Sequence, residues 1–252
     1  MRLLQSANYT IPTLLSATLL AMGFLDFLFP KACINCRKFG SYLCSNCFAY
    51  VVFVDTGFCV ACQRAAIGGL THPSCKTSFT IDGVFSSLAY KGVVKKLIYK
   101  FKYKPYLANL RDLLTDFFYE GLIQKEIFYS LLKDKSILVP IPLYANKLKK
   151  RGYNQSLLLA EKLGQKLDIK VLDGLKRIKN TKTQVGLSQK ERAENIKNAF
   201  VIKEKYSRQI KGFKQVFLVD DVVTSGATLR EAAKILKKAG IRKVWGVTLA
   251  HG

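Results

Sequence analysis

Val216-Phe217-Leu218-Val219-Asp220-Asp221-Val222-Val223-Thr224-Ser225-Gly226-Ala227-Thr228 is the stretch that decides the fold. Its first four apolar residues predict a buried strand, and two adjacent carboxylates, Asp220 and Asp221, stand at the strand's end. A turn rich in hydroxyls and glycine follows, Thr224 to Thr228. Leu229, Ala232, Leu236 and Ala239 then recur at helical spacing, and Gly240 ends that helix. Backbone N–H groups converge in such a turn, and the dipole of the helix behind it favours an anion. Two carboxylates beside a bound phosphate would repel it, so they serve another group. Two roles are open to them: accepting hydrogen bonds from a pair of ribose hydroxyls, or holding a magnesium ion. The ligand implied is a phosphorylated ribose.

Working outward, the rest of the chain predicts strands alternating with helices. Residues 81–90 read as a strand or hairpin, followed by a basic helix in which Val94, Leu97, Ile98 and Phe101 form an apolar face. Lys95, Lys96, Lys100, Lys102 and Lys104 surround that face, with Tyr99 and Tyr103 among them. Interleaved lysines and aromatics suit a single-stranded nucleic acid, whose bases stack while its phosphates pair; a solvated face with snorkelling lysines has the same pattern. Residues 107–132 predict one helix, with Leu110, Leu113, Leu114, Phe117 and Phe118 on its buried side. Ser136–Pro142 predicts a strand leading into a basic loop, Leu143–Arg151, and then a helix over Ser156–Leu167. Residues 176–200 are polar, basic and weakly periodic, which predicts a mobile loop running into a turn. Lys243–Leu249 predicts the last strand. Such alternation argues for a doubly wound, mainly parallel sheet with its ligand at the carboxyl ends of the strands.

Seven cysteines are spaced as three Cys-x2-Cys knuckles, Cys33/Cys36, Cys44/Cys47 and Cys59/Cys62, followed by His72-x2-Cys75. Eight such ligands suffice for two tetrahedral zinc sites, Cys33, Cys36, Cys44, Cys47 and Cys59, Cys62, His72, Cys75; a cross-braced pairing of the knuckles stays open. The odd cysteine number argues against a disulfide framework, and thiolate zinc implies a reducing compartment. Little apolar core can form over residues 32–80, so metal must stabilise that module. The expected organisation is an apolar leader over 1–31, a double zinc ribbon over 32–80 and an α/β domain over 81–252.

With 252 residues there is room for one full α/β domain beside a small module. The net charge of +24, from 41 Lys+Arg against 17 Asp+Glu, suits polyanionic partners. The apolar run Ile11 to Met22 is short for a membrane span, carries one basic residue, Arg2, ahead of it, and is interrupted by Asp26 in its continuation. No stable membrane insertion is expected; a start at Met22 is one reading of this leader and a membrane-facing amphipathic helix is another.

The stretch 216–228 resembles the phosphoribosyl-pyrophosphate (PRPP) loop of the type I phosphoribosyltransferases, with Ser225 where threonine is commoner. That resemblance implies a type I phosphoribosyltransferase-like fold. It also implies that Asp220 and Asp221 take the ribose hydroxyls, that Thr224, Ser225, Gly226, Ala227 and Thr228 cradle the 5-phosphate, and that Mg2+ accompanies PRPP. The basic segment before Arg151 occupies the place of a pyrophosphate loop. Arg151 and Lys147 are its candidates to neutralise the leaving group, and Arg177, Gln184 and Arg192 are candidates to reach in from a closing loop.

A wider set of motifs runs in order: the multi-cysteine module, F-K-Y, V-P-I-P-L, K-K-R-G-Y-N-Q, T-x-x-Q-x-x-L-S-x-x-x-R-x-x-N with A-F, and the PRPP loop. Together, over residues 22–252, they are similar to the ComF family, also called ComFC or GntX-like. The resemblance implies a part in natural transformation, contact with single-stranded DNA, a helicase-like competence partner, and work in the cytoplasm up to the inner face of the membrane. It also leaves room for a true phosphoribosyltransferase acting on an acceptor the sequence does not name. A duplex-binding regulator is disfavoured, since no helix-turn-helix is evident. No general acid or base stands out, because His72 is assigned to metal and His251 lies next to the last residue. Charge stabilisation suffices for a dissociative transfer at an anomeric carbon, so that does not exclude catalysis.

Overall fold

The structure, a computed structural model, describes residues 30–103, 107–132, 134–181 and 188–252. The leader up to residue 29, Lys104 and Gln184 lie outside the described residues. The chain divides into two compact units, one ending at Phe48 and the other running from Ala49 to Gly252. In the first, a tight knuckle is closed by Cys33 N–H donating to the Lys38 carbonyl (2.8 Å) and Arg37 N–H donating to the Cys33 carbonyl (2.9 Å). A one-turn helix, α1 (Ser45–Phe48), follows it.

The second unit opens with a small antiparallel ribbon, β1 (Gly57–Phe58) and β2 (Ala65–Ala66). After it come β3 (Gly83–Ala89), α2 (Gly92–Lys102), α3 (Leu110–Ile123), α4 (Glu126–Leu131), β4 (Ser136–Pro140), α5 (Ala145–Arg151) and α6 (Gln155–Leu167). The chain continues through β5 (Leu175–Arg177), α7 (Gln189–Ile196), β6 (Phe200–Ile202), α8 (Ser207–Lys211), β7 (Gln215–Val223), α9 (Ala227–Lys238) and β8 (Lys243–His251). Four strands form one parallel sheet in the order β3-β8-β7-β4, while β5 and β6 make a separate antiparallel pair. The expected α/β fold with a mainly parallel sheet is what the chain adopts.

Side chains alternate across that sheet, as a pleated strand requires. Val84, Val216, Leu218 and Val244 join the buried cluster that includes Leu229, Ala232 and Leu236 of α9. Their neighbours Phe85 and Phe217 meet Phe128 of α4, each at a ring-centroid distance of 5.5 Å. Both faces are therefore covered, which is why these strands read as continuous apolar runs.

Three expectations change. The helix expected over 107–132 breaks: Lys125 turns extended (φ −89°, ψ 106°) and its ammonium donates to the Val54 carbonyl, so α4 starts afresh and delivers Phe128 to the core. The segment Leu143–Arg151, expected as a loop, contains helix α5, ended by Gly152 in the left-handed region (φ 84°). Lysine and leucine are good helix formers, and the basic last turn of α5 complements the helix dipole, so polarity there misleads. Within 176–200, expected as a mobile loop, the described residues include β5 and α7. Ser188 caps α7 in a reciprocal box with Glu191.

Candidate ligand-binding cleft and metal centres

β7 extends through Val223, so Asp220 and Asp221 fall within the strand rather than after it, with Asp220 in register with Thr248 of β8. They open onto a cleft of about 570 Å³ at the carboxyl end of the sheet. Among the described residues, seven cationic side chains line it against these two acids. Lys147, Arg151, Arg177 and Arg192 were candidates from the sequence; Lys95, Lys102 and Lys150 join them. The structure thus gathers on one cavity the four cationic sequence candidates together with Asp220, Asp221, Thr224 and Thr228, while Ser225, Gly226 and Ala227 are not among its lining residues.

Each candidate has a definite anchor. Lys147 Nζ donates to the Thr181 carbonyl (3.0 Å), and Arg177 donates to the Thr181 hydroxyl. Arg177 also lies over the Phe200 ring at 5.6 Å. Arg151 donates to Gln155 and stands 5.7 Å from the Tyr103 ring. Arg192 Nη1 donates to Thr224 Oγ1 at 2.7 Å, tying α7 to the turn after β7. Burial, then the charges of Arg177 and Arg151, lower the pKa of Lys147. Burial likewise lowers that of Arg177, opposed by Asp220. Crowded cations of this kind gain from a multiply charged anion placed between them.

In the acid pair, Asp220 Oδ1 accepts from the Ser156 hydroxyl (3.0 Å) and from the Asp221 N–H (2.9 Å). Burial and the neighbouring Asp221 charge push the Asp220 carboxyl up to about 7. Asp221 Oδ2 lies 2.8 Å from Lys102 Nζ. Sequence reading placed Lys102 on a basic helix face and did not bring it to the acids. A magnesium ion seated directly on Asp221 Oδ2 would meet a buried ammonium only 2.8 Å from that oxygen, paired with it by charge without an aligned hydrogen bond.

The turn after β7 carries an unsatisfied group. Ser225 is buried and its hydroxyl has no hydrogen-bond partner among the described residues. Gly226 has φ 67°, a left-handed conformation that glycine adopts at least cost, and it caps α9. A β-carbon there would come within 1.9 Å of Val60 Cγ2. Val60 belongs to the third cysteine knuckle, whose Gln63 side chain donates to the Val60 carbonyl (2.9 Å) and the Ser225 carbonyl (3.3 Å). Phe58 stacks on His251 at 3.8 Å, and burial lowers the histidine's pKa. Nothing in the spacing of the cysteines pointed to these supports.

The cysteines pair sequentially. Cys33, Cys36, Cys44 and Cys47 bring their sulfur atoms within 4.8 Å of one another, and so do the ligand atoms of Cys59, Cys62, His72 and Cys75. Zinc–sulfur bonds of about 2.3 Å in a tetrahedron place sulfurs about 3.8 Å apart, so each tetrad fits one structural zinc ion. Backbone and side-chain hydrogen bonds from Arg64 lead the effects that lower the Cys62 thiol to about 6, which favours the thiolate a metal needs.

Comparison with known proteins agrees with this geometry. Residues 154–252 match the phosphoribosyl transferase domain, and residues 24–76 match the double zinc ribbon domain. Competence protein F of Haemophilus influenzae is 44% identical over 122 residues, 47% of this chain and 52% of that protein. The DNA utilization protein YhgH of Escherichia coli K12 is 35% identical over 108 residues, covering 42% of this chain and 45% of YhgH. Competence protein ComFC of Bacillus subtilis 168 is 29% identical over 156 residues, 62% of this chain and 58% of ComFC. The chain spans about half the length of the curated relatives it matches. It therefore carries a phosphoribosyl transferase domain with an N-terminal double zinc ribbon and is homologous to competence protein F, ComFC and YhgH.

Proposed function

We propose that the cleft binds PRPP and that the chain is a PRPP-dependent accessory of single-stranded DNA uptake or use. The observation that carries the PRPP reading is the meeting, among the described residues, of an acid pair, the turn residues Thr224 and Thr228 and seven cations in one cavity. In this reading Asp220 and Asp221 accept from the ribose hydroxyls. Thr224 to Thr228 hold the 5-phosphate at the start of α9, while Lys147, Arg151 and Arg177 neutralise the diphosphate and Arg192 fastens the turn. Mg2+ would travel with the diphosphate and supply further neutralisation there.

The DNA-handling part follows from the names of the relatives and from α2. Lys95 and Lys96 are exposed on that helix, and so is Tyr99, whose ring lies 4.8 Å from that of Tyr103. A competence helicase is the partner this role suggests, and the cytoplasm is where it would act.

The same acid pair and cation cluster support a second reading, PRPP-dependent transfer of the ribosyl group to an acceptor with release of pyrophosphate. Phosphorus NMR of PRPP and magnesium with the purified protein, with and without single-stranded DNA and a small-molecule extract, separates the two. Broadened but persistent PRPP signals support binding without turnover. Pyrophosphate above the protein-free control supports the enzyme, and unbroadened, unchanged signals would remove both.

A further inference from the structure

Lys102 enters the cleft from the last residue of α2 and meets Asp221, with 18% of the lysine side chain and 3% of the aspartate side chain exposed. Burial works against the ammonium, yet Asp221 and then Asp220 hold its pKa above the ordinary lysine value. The lysine is therefore charged and fixed in the acid pair. Any dication brought to the same oxygen meets its repulsion and must first displace it. Magnesium also demands near-octahedral oxygen coordination and parts reluctantly with its water, which a site already filled by an ammonium does not provide. No aligned hydrogen bond to Asp221 Oδ2 uses the ammonium's three donors, so a sugar hydroxyl or a water in the cleft that Lys102 lines can accept from them.

We propose that Lys102 is the resident cation of the sugar site. It takes the position of a divalent ion on Asp221, holds that carboxylate in place for a ribose hydroxyl, and leaves divalent metal to arrive only on the ligand's diphosphate. The assignment rests on the PRPP reading for the identity of the sugar, but the pairing of Lys102 with Asp221 is testable without PRPP.

The test uses zinc-loaded full-length protein and manganese, followed by electron paramagnetic resonance in the absence of PRPP. Wild type and Lys102→Arg should hold no manganese that Asp221→Asn removes. Lys102→Met should acquire one ion per chain, and adding Asp221→Asn to it should abolish that ion. Manganese bound by the wild type and lost in Asp221→Asn would overturn the assignment, as would a folded Lys102→Met that gains none. Should Lys102→Met fail to fold, the wild-type, Lys102→Arg and Asp221→Asn arms still decide.

Calorimetry with PRPP adds a second readout. Omitting magnesium should weaken binding to the wild type by less than about threefold and to Lys102→Met by more than about tenfold. Equal magnesium dependence in both would overturn the assignment. If no form bound PRPP while the manganese pattern held, the PRPP reading would fall and Lys102 would stand as the cation of the acid pair. PRPP bound by a wild type that also held manganese on Asp221 would overturn the Lys102 assignment alone.

Discussion

Gly226 of the turn after β7 lies directly against Val60 of the third cysteine knuckle, so close that a β-carbon at 226 would sit 1.9 Å from Val60 Cγ2. The positive φ of Gly226 adds a backbone cost to the steric one. Gly226→Ala should therefore destabilise the protein by about 1–3 kcal/mol and weaken PRPP binding. Adding Val60→Ala should recover part of the thermal stability. Melting curves of the single and double variants check this; no recovery would mean that Val60 is not what limits the turn.

The same contact makes metal removal informative. Cys62→Ser should remove one zinc per chain by elemental analysis and loosen Val60 and Gln63 beneath Ser225. PRPP affinity should then drop at least about tenfold, the equivalent of 1.4 kcal/mol. Cys33→Ser should also remove one zinc and destabilise the N-terminal module, since structural zinc is worth on the order of 10 kcal/mol of folding. Unchanged zinc content in either variant would count against that tetrad.

Neutralising the acid pair tests the ribose assignment. Asp220→Asn with Asp221→Asn should abolish PRPP binding measured by calorimetry while circular dichroism shows a folded chain. Unaltered affinity would remove these two residues from the site.

Asp220 also predicts a pH dependence. Its folded value of about 7 lies above the 3.8 of a free side chain, so the folded state holds this proton more tightly than the unfolded state does. The resulting stabilisation is fully present below the unfolded value and is lost as pH rises through about 7. Asp220→Asn keeps a neutral side chain at every pH. Its melting temperature relative to wild type should therefore climb as the buffer is moved from about pH 5.5 to about pH 8. A constant difference would mean that Asp220 is ionised throughout.

For the proposed nucleic-acid face, Tyr99→Ala with Tyr103→Ala should weaken oligothymidine binding in fluorescence anisotropy by about 1–3 kcal/mol per lost base stack. Thermal stability should fall little, because Tyr99 is half exposed and Tyr103 is also exposed. Equal binding by the variant would leave α2 as a plain solvated helix.

What the sequence made legible was local. The apolar run, acid pair and hydroxyl turn of 216–228 lie within one short stretch, and so do the knuckle spacings of the two tetrads. The partners of those features come from elsewhere. Lys102 is one lysine among several on α2, and only the packing of Val93, Leu97 and Phe101 in the core turns it toward Asp221. Ser156 looked like a helix-opening serine, whereas its hydroxyl also reaches Asp220. The Ser188/Glu191 capping box was readable as S-x-x-E, but the polar character of 176–200 masked it. Helix α5 was hidden in the same way by a run of lysines whose charge masked their helix propensity.

The stacking of Phe58 on His251 and the bond from Gln63 to Ser225 bear on where this protein can be divided. A fragment beginning at residue 81 would keep every residue proposed to touch the ligand. It would also strip Phe58, Val60 and Gln63 from the underside of the turn and bare an aromatic ring and an apolar floor to water. Such a fragment should be aggregation-prone and slack at its phosphate turn. The third knuckle is thus better understood as the foundation of the turn after β7 than as an appendage to it.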